Sequence, residues 1–99
     1  MSKNNGNTKA KTWLITGASS GLGYALAESA LQQGNRVALG ARSQGAMTAL
    51  AARYPDSALA LVLDVTNAEQ RAAAVQQTEQ RFGAIDVLVN NAGIDDIVQ

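Results

Sequence analysis

Four short apolar runs alternate with three stretches of helical character, and this alternation restricts the fold of the 99-residue chain more than any other feature. The runs begin roughly every 24 residues and cover residues 12–16, 36–41, 58–63 and 85–89. Unbroken apolar runs are typical of strands covered on both faces, and strands that alternate with helices form βαβ units around a parallel sheet. Right-handed crossovers, with a reversal of direction after the third strand, predict an α/β domain with the strand order 3-2-1-4.

The three helices between these strands are predicted from the residues that begin and end them. The first should span about residues 21–33, and Ser43 can cap the second. Thr66 and Glu69 form a Ser/Thr-x-x-Glu capping box before the third helix, and Gly83 ends it. Apolar residues at helical spacing predict the faces that pack on the sheet. In the first and third helices these residues are Leu22, Ala25, Leu26, Ala30, Ala68, Ala72, Val75 and Phe82.

The segment between the first strand and the first helix has the pattern of a phosphate-binding loop. It reads Thr-Gly-Ala-Ser-Ser-Gly-Leu-Gly and contains Gly17, Gly21 and Gly23. The first N–H groups of a helix have no partners inside the helix, and the helix dipole adds partial positive charge, so a pyrophosphate can bind there. Glycines allow positive φ and let the backbone approach the phosphates closely. A tight turn that binds nothing is the alternative interpretation.

Charged residues follow the second and third strands, at the edge of the sheet where ligands of such folds bind. Arg42 follows the second strand, and Ala41 stands where a carboxylate would hold a ribose 2′-hydroxyl, so the 2′-phosphate of NADP is favoured over NAD. Alternatively, Arg42 is an ordinary solvated charge. Asp64 can accept a hydrogen bond from an adenine amino group while Val65 packs beside the ring; its other possible role is to support the start of the third helix.

The fourth strand is followed by the segment Asn-Asn-Ala-Gly at residues 90–93. Its side-chain amides can brace adjacent loops, and its small residues allow a cofactor to approach closely. A turn alone would also explain these four residues.

Together these segments resemble the short-chain dehydrogenase/reductase family. The resemblance rests on the Thr-Gly-x-x-x-Gly-x-Gly segment, on Asp64 and Val65, and on the Asn-Asn-Ala-Gly segment, and it covers about residues 11–93. It implies a Rossmann-type fold, a nicotinamide dinucleotide cofactor, and hydride transfer to or from a carbonyl or alcohol carbon. Arg42 without an acidic neighbour at Ala41 is similar to the arrangement in members that prefer NADP, so NADP is expected and NAD is less favoured.

The resemblance also implies a role for each matching residue. The three glycines would contact the pyrophosphate, Asp64 and Val65 the adenine, Asn90 and Gly93 the adenosine ribose, and Ser43 would help Arg42 to hold the 2′-phosphate. The residues expected to bind the cofactor are Gly17, Ser19, Ser20, Gly21, Leu22, Gly23, Arg42, Ser43, Asp64, Val65, Asn90, Ala92 and Gly93. No metal ligand is expected.

The residues that carry out hydride transfer in this family have no counterpart in the sequence. In family members an Asn, a Ser and a Tyr-x-x-x-Lys set lie well beyond the Asn-Asn-Ala-Gly segment, whereas neither Tyr24 nor Tyr54 has a lysine four residues later. The expectation is therefore the NADP-binding portion of an oxidoreductase, truncated relative to the family fold and without a catalytic residue. Two alternatives stay open: a regulatory module that binds NADPH without turnover, and a subunit that a separate catalytic chain completes.

Composition narrows the remaining possibilities. Eight basic and eight acidic residues balance, which argues against nucleic-acid and membrane-surface binding, and the absence of Cys and His removes disulfides and most transition-metal sites. Residues 1–11 are expected to form a flexible polar tail, residues 12–93 the domain, and residues 94–99 are unassigned. A cytoplasmic location is expected because no segment has the pattern of a leader or a membrane span. The apolar fourth strand, left at the edge of the sheet, predicts self-association.

Overall fold

The computed structural model describes residues 9–18 and 21–91, and its strands form one parallel sheet. The strands are β1 (Thr12–Thr16), β2 (Arg36–Ala41), β3 (Ala58–Val62) and β4 (Val87–Asn90); the helices are α1 (Gly21–Gln32), α2 (Gly45–Arg53) and α3 (Ala68–Phe82). The order across the sheet is β3-β2-β1-β4. The predicted Rossmann-type arrangement of four strands and three helices is confirmed.

The register of β1 with its two neighbours decides which residues share a face of the sheet. Leu14 lies beside Ala38 of β2 and Leu88 of β4, and the next residue of β1, Ile15, lies beside Val89. Successive side chains of a strand point to opposite faces, so Leu14 and Leu88 belong to one face and Ile15 and Val89 to the other. All four strands run in parallel, so their carboxyl ends meet at one edge.

The two faces of the sheet are covered to different extents. On the first face, α1 and α2 pack on a core in which Ile15, Leu39, Met47 and Leu50 have no exposed surface. On the second face, α3 packs over a smaller cluster formed by Leu14, Ala38, Leu61, Leu63 and Ala74.

The fourth strand is less buried than the other three. Leu88 is 63% exposed on the α3 side, and burial alternates along β4 between half-buried and exposed positions. This exposure agrees with the expected position of β4 as an apolar strand at the edge of the sheet.

The residues that α1 and α3 bury against the sheet are mostly small and differ from most of those predicted. The buried residues of α1 include Gly23 and Ala27, whereas Leu22 is 59% exposed. In α3 the buried residues are Ala74 and Thr78. The hydroxyl of Thr78 donates to the Ala74 carbonyl at 2.7 Å, which satisfies the polar group inside the helix. The prediction was right for Ala30 and wrong for Ala25, Ala68 and Ala72, which are exposed.

The helix starts also differ from the predicted ones. Gln44, not Ser43, precedes α2, and it makes no side-chain capping bond. Before α3 the capping residue is Asn67, whose side-chain oxygen accepts from the backbone N–H of Gln70 at 3.0 Å. The predicted capping box is wrong because the hydroxyl of Thr66 donates to Asp64 instead, at 2.6 Å.

Within residues 9–18 and 21–91, no helix combines the length and the apolar character that crossing a bilayer requires. In the same ranges no group of three or more acidic side chains is placed to hold a metal ion.

Candidate cofactor site

The glycine loop connects the carboxyl end of β1 to the start of α1 at the edge of the sheet where all strands end. Gly17 has φ of 66° and Gly21 has φ of 60°, in the left-handed region that favours glycine. The backbone N–H of Ala18 donates to the Gly40 carbonyl of β2 at 3.2 Å, which ties the loop to the sheet. Two predicted cofactor residues of this loop, Ser19 and Ser20, lie outside the described residues.

Gly23 and Asn91 fix the inner side of this loop. The side-chain amide of Asn91 donates to the Gly17 carbonyl oxygen at 3.0 Å. A Cβ on Gly23 would stand 2.6 Å from the Asn91 amide nitrogen and would collide with the same carbonyl oxygen. The absence of a side chain at residue 23 therefore lets α1 pack against the loop, and Asn91 holds the loop to the end of β4.

The outer side of the loop fits a pyrophosphate group. Among residues 9–18 and 21–91, nothing lies within 4 Å of a Cβ built on Gly21, so these residues leave the space in front of the α1 start open. The first turn of α1 contains no acidic residue that would repel or replace a phosphate. Leu22 is mostly exposed beside this opening. The loop therefore has the positive φ angles and the position before a helix start that are typical of phosphate-binding loops in such folds.

Arg42, Ser43 and Asp64 lie together at the ends of β2 and β3. Arg42 and Ser43 are exposed directly after β2, and the charge of Arg42 is close enough to act on the Asp64 carboxylate. The backbone N–H of Leu63 donates to the Ala41 carbonyl oxygen at 2.9 Å, which aligns the carboxyl ends of β2 and β3. The structure thus brings together a cation, a hydroxyl and a carboxylate that the sequence places on two different connections.

Asp64 is held by its own neighbours along the chain. Its Oδ1 accepts from the Thr66 hydroxyl at 2.6 Å and from the Thr66 backbone N–H at 3.0 Å, and its backbone N–H donates to Gln70 at 2.7 Å. The hydrogen bonds from Thr66, more than the nearby positive charge of Arg42, lower the pKa of the Asp64 carboxyl below its ordinary value. The carboxylate is therefore ionised at neutral pH and accepts hydrogen bonds.

Thr16 and Asn90 meet where β1 and β4 end. The hydroxyl of Thr16 donates to the side-chain oxygen of Asn90 at 3.0 Å. Val65 is half-buried and packs against the cluster under α3. Ala92 and Gly93, the last of the predicted cofactor residues, lie outside the described residues.

Three residues of this region were missing from the predicted set. Asn91 anchors the glycine loop, Thr66 binds the Asp64 carboxylate, and Gln70 binds its backbone. The spacing Asp-x-Thr is a signal for the Asp64 turn, because an Asp side chain often accepts hydrogen bonds from the residue two positions later. The contact of Asn91 with Gly17 agrees with the expectation that the side-chain amides of the Asn-Asn-Ala-Gly segment brace adjacent loops. The two residues are 74 positions apart in the sequence, so local spacing did not identify the atom that Asn91 binds.

Comparison with known proteins gives the family. A family model described as short chain dehydrogenase matches residues 11–99, which includes the six final residues that motif reasoning left unassigned. The chain belongs to the short-chain dehydrogenase family. Eight curated family members, named as oxidoreductases, dehydrogenases or reductases, match 84 to 88 residues at 39% to 43% identity. The chain spans only 31% to 38% of their length.

Solved structures of the family match the fold over most of the described residues. A short-chain dehydrogenase from Streptomyces avermitilis is 48% identical with a TM-score of 0.80, and the match covers 84% of this chain and 31% of that one. A 3-ketoacyl-(acyl-carrier-protein) reductase from Brucella melitensis, complexed with NADH, is 32% identical with a TM-score of 0.76, covering 82% of this chain and 34% of that one. An alcohol dehydrogenase from Thermococcus sibiricus, complexed with 5-hydroxy-NADP, is 33% identical with a TM-score of 0.75, covering 81% and 36%.

Proposed function

We propose that this chain is the NADP-binding portion of a short-chain oxidoreductase and that it does not transfer hydride by itself. The observation that carries the proposal is the glycine loop, whose open outer side faces the start of α1. The dinucleotides in the Brucella and Thermococcus structures support a nicotinamide cofactor for a chain of this fold. When bound, that cofactor supplies the hydride, and the residues of this chain bind and orient its adenosine half.

The preference for NADP rests on the chemistry at the end of β2. Arg42 is exposed and can pair with a 2′-phosphate, and Ser43 beside it can donate a hydroxyl hydrogen bond. The residue before Arg42 is the buried Ala41, so no carboxylate projects from that position towards a ribose 2′-hydroxyl. An NADP 2′-phosphate would therefore meet the cation of Arg42, whereas the 2′-hydroxyl of NAD would meet no carboxylate from residue 41.

Asp64 is suited to bind the adenine amino group. Both hydrogen bonds from Thr66 use Oδ1 of the carboxylate, so Oδ2 can accept another donor. The lowered pKa keeps the group ionised. Val65, half-buried next to it, offers an apolar surface to the ring.

Calorimetric titration of the chain with NADPH tests the proposal. Gly21→Val should abolish binding, because a branched side chain would fill the open space before α1 and strain a residue with positive φ. Gly83→Val is the matched control, since Gly83 also has positive φ and open surroundings but ends α3. Equal binding by wild type and Gly21→Val would refute the glycine-loop assignment.

Arg42→Ala tests the choice between the two nicotinamide cofactors. A charge-assisted contact is worth about 1.5–3 kcal/mol, so affinity for NADPH should fall by roughly tenfold to a hundredfold while that for NADH stays nearly unchanged. Arg81→Ala, an exposed arginine at the end of α3, should change neither affinity. A parallel loss for both cofactors would show that Arg42 has a structural role, and the NADP preference would then be wrong.

Two other roles are consistent with the same site. A regulatory module would bind NADPH without any partner that turns it over, whereas a subunit completed by a separate chain would have a surface built to receive that chain. A cytoplasmic location remains part of the proposal. The exposed side chain of Leu88 on β4 is relevant to the role as a subunit that a separate chain completes.

A further inference from the structure

The turn between β3 and α3 is held by side chains that reach back from the start of the helix. In a helix the Cα–Cβ bonds tilt towards the amino end, so side chains of the first turns can contact the segment that precedes them. The side-chain oxygen of Gln70 accepts from the Asp64 backbone N–H at 2.7 Å. The guanidinium of Arg71 donates from Nη1 to the Val65 carbonyl oxygen. Two adjacent residues of α3 therefore fix two adjacent residues of the turn.

The peptide unit between Val65 and Thr66 is held at both of its polar groups. Its carbonyl oxygen accepts from Arg71, and its N–H donates to Asp64 Oδ1 at 3.0 Å. A peptide unit is planar, so the direction of its carbonyl also sets the direction of its N–H. Arg71 therefore acts on the Asp64 carboxylate through this peptide.

The orientation of the Asp64 carboxylate decides which of its oxygens can bind a ligand. Both hydrogen bonds from Thr66 use Oδ1, and among the residues that the structure describes no donor is bonded to Oδ2. Rotation of the carboxylate about its Cβ–Cγ bond would move Oδ2 and change the direction of any hydrogen bond to a ligand. A fixed peptide between Val65 and Thr66 limits this rotation, because its N–H stays directed at Oδ1.

The contact between Arg71 and Val65 lies at the surface of the molecule. Both residues line a cavity of about 570 Å³ at the carboxyl ends of the strands. Val65 is half-buried, whereas Arg71 is exposed and does not belong to either hydrophobic cluster. Substitutions at exposed positions usually change stability little. Removal of the guanidinium should therefore alter the geometry of the turn more than the stability of the domain.

We propose that Arg71 is a positioning residue for the adenine end of the cofactor. By holding the Val65 carbonyl oxygen it directs the Asp64 carboxylate at the adenine amino group, and it thereby contributes to the selection of adenine over a base without that amino group. The inference rests on the proposed cofactor function, which assigns Asp64 to the adenine. Arg71 acts through the turn and is not itself a contact of the cofactor.

Calorimetric titration of the 99-residue chain with two dinucleotides tests the inference. The probes are NADPH and its hypoxanthine analogue, in which a carbonyl oxygen replaces the adenine amino group and would face the Asp64 carboxylate as a second acceptor. Wild type should bind NADPH more tightly than the analogue. Arg71→Met removes the guanidinium but keeps an apolar stem of similar length. It should reduce the preference for NADPH by roughly three- to tenfold, because the hydrogen bond to the amino group loses its geometry.

Arg81→Met is the matched control for this substitution. Arg81 is also an exposed arginine of α3, and its Nη2 donates to the Pro55 carbonyl oxygen at 3.0 Å. The contact is of the same kind, but it belongs to the last turn of the helix, away from the turn that carries Asp64. Arg81→Met should therefore leave the preference for NADPH unchanged.

A second measurement needs no cofactor. Carbon-detected NMR titration of the Asp64 carboxyl group, in about 1 M NaCl, screens the exposed charge at residue 71. The pKa of Asp64 should be higher in Arg71→Met than in wild type, because the Thr66 N–H that helps to lower it is no longer directed at Oδ1. In Arg81→Met the pKa of Asp64 should equal that of wild type.

The outcomes separate this inference from the proposed cofactor function. A chain that binds neither dinucleotide, but whose Asp64 pKa rises only in Arg71→Met, would refute the cofactor proposal and leave Arg71 as the residue that positions Asp64. An equal loss of affinity for both dinucleotides in Arg71→Met, an unchanged preference, or an unchanged pKa of Asp64 would overturn the inference. Thermal melts by circular dichroism confirm that each variant is folded before it is compared.

Discussion

Gly23 lies where the glycine loop, α1 and the end of β4 meet. Its missing side chain leaves room for the Gly17 carbonyl oxygen and for the Asn91 amide that binds it. The need for a small residue here could be predicted from the loop pattern. The predicted strand order also places β4 beside β1. The sequence did not show that the Asn91 amide binds the Gly17 carbonyl oxygen next to Gly23, because that contact depends on the path of the loop.

Gly23→Ala should destabilise the domain even though alanine favours helices. The added Cβ would collide with the loop carbonyl, and overpacking of this kind costs about 1–3 kcal/mol. Gly45→Ala is the control, because a Cβ on this first residue of α2 meets nothing within 4 Å. It should raise the free energy of unfolding by up to about 1 kcal/mol. Urea unfolding of both variants measures the difference, and equal stability of the two would contradict the packing role of Gly23.

The carboxyl group of Asp64 gives a prediction about pH. Its pKa is lowered chiefly by the Thr66 hydrogen bonds, so these stabilise the folded protein above the ordinary pKa of Asp and lose that effect as the pH falls through the lowered value. In Thr66→Val the pKa of Asp64 should rise towards its ordinary value, whereas Thr66→Ser should keep it low. Carbon-detected NMR titration of the Asp64 carboxyl reads both variants. An unchanged pKa in Thr66→Val would show that another group holds the carboxylate.

The elements of the domain could be predicted from the sequence more reliably than their ends could. Apolar runs separated by helical stretches gave the correct order of elements and the correct order of strands, because burial and right-handed crossovers restrict both. The start of β4 was misplaced by two residues. Asp86, just before it, is drawn into a side-chain bond with the Thr12 backbone N–H at 2.8 Å, a tertiary contact that composition does not reveal.

The residue that caps the start of α3 gives a prediction about the stability of a single helix. Asn67→Ala should lower the free energy of unfolding by about 1 kcal/mol, because it removes the acceptor of the Gln70 backbone N–H. Ser43→Ala should change it by less than about 0.5 kcal/mol, since α2 is preceded by Gln44 without a side-chain cap. Denaturant unfolding measures the free energy of unfolding of the two variants. It compares Asn67, which caps α3, with Ser43, which was predicted to cap α2 and does not. A larger loss in Ser43→Ala would reverse the assignment.

At the scale of the whole molecule, the two faces of the sheet are covered to different extents. Helices α1 and α2 cover the larger core on the first face, whereas α3 leaves Leu88 and Val75 in solvent on the second. Self-association of the isolated chain, expected from the edge position of β4, stays a prediction that concerns the strand edge as well as the exposed side chains of Leu88 and Val75.

The distribution of lysines and tyrosines explains why cofactor binding should not lead to chemistry in this chain alone. Among the described residues the lysines are Lys9 and Lys11, and Lys11 pairs with Asn35 and Arg36 at the amino end of β1, opposite the glycine loop. Tyr24 and Tyr54 pack beside the core under α1 and α2. Among the described residues, therefore, no tyrosine and lysine are paired at the edge where the cofactor would bind.

The chain alone should accordingly show no dehydrogenase or reductase turnover. Hydride transfer to a carbonyl needs a positioned proton donor for the developing alkoxide, and general acid catalysis contributes roughly a hundredfold to ten-thousandfold. An NADPH-depletion assay against aldehydes, ketones and quinones should read at background, with the complete Streptomyces dehydrogenase as positive control. Turnover that survives repurification and disappears in Gly21→Val would show that this chain carries its own catalytic residues.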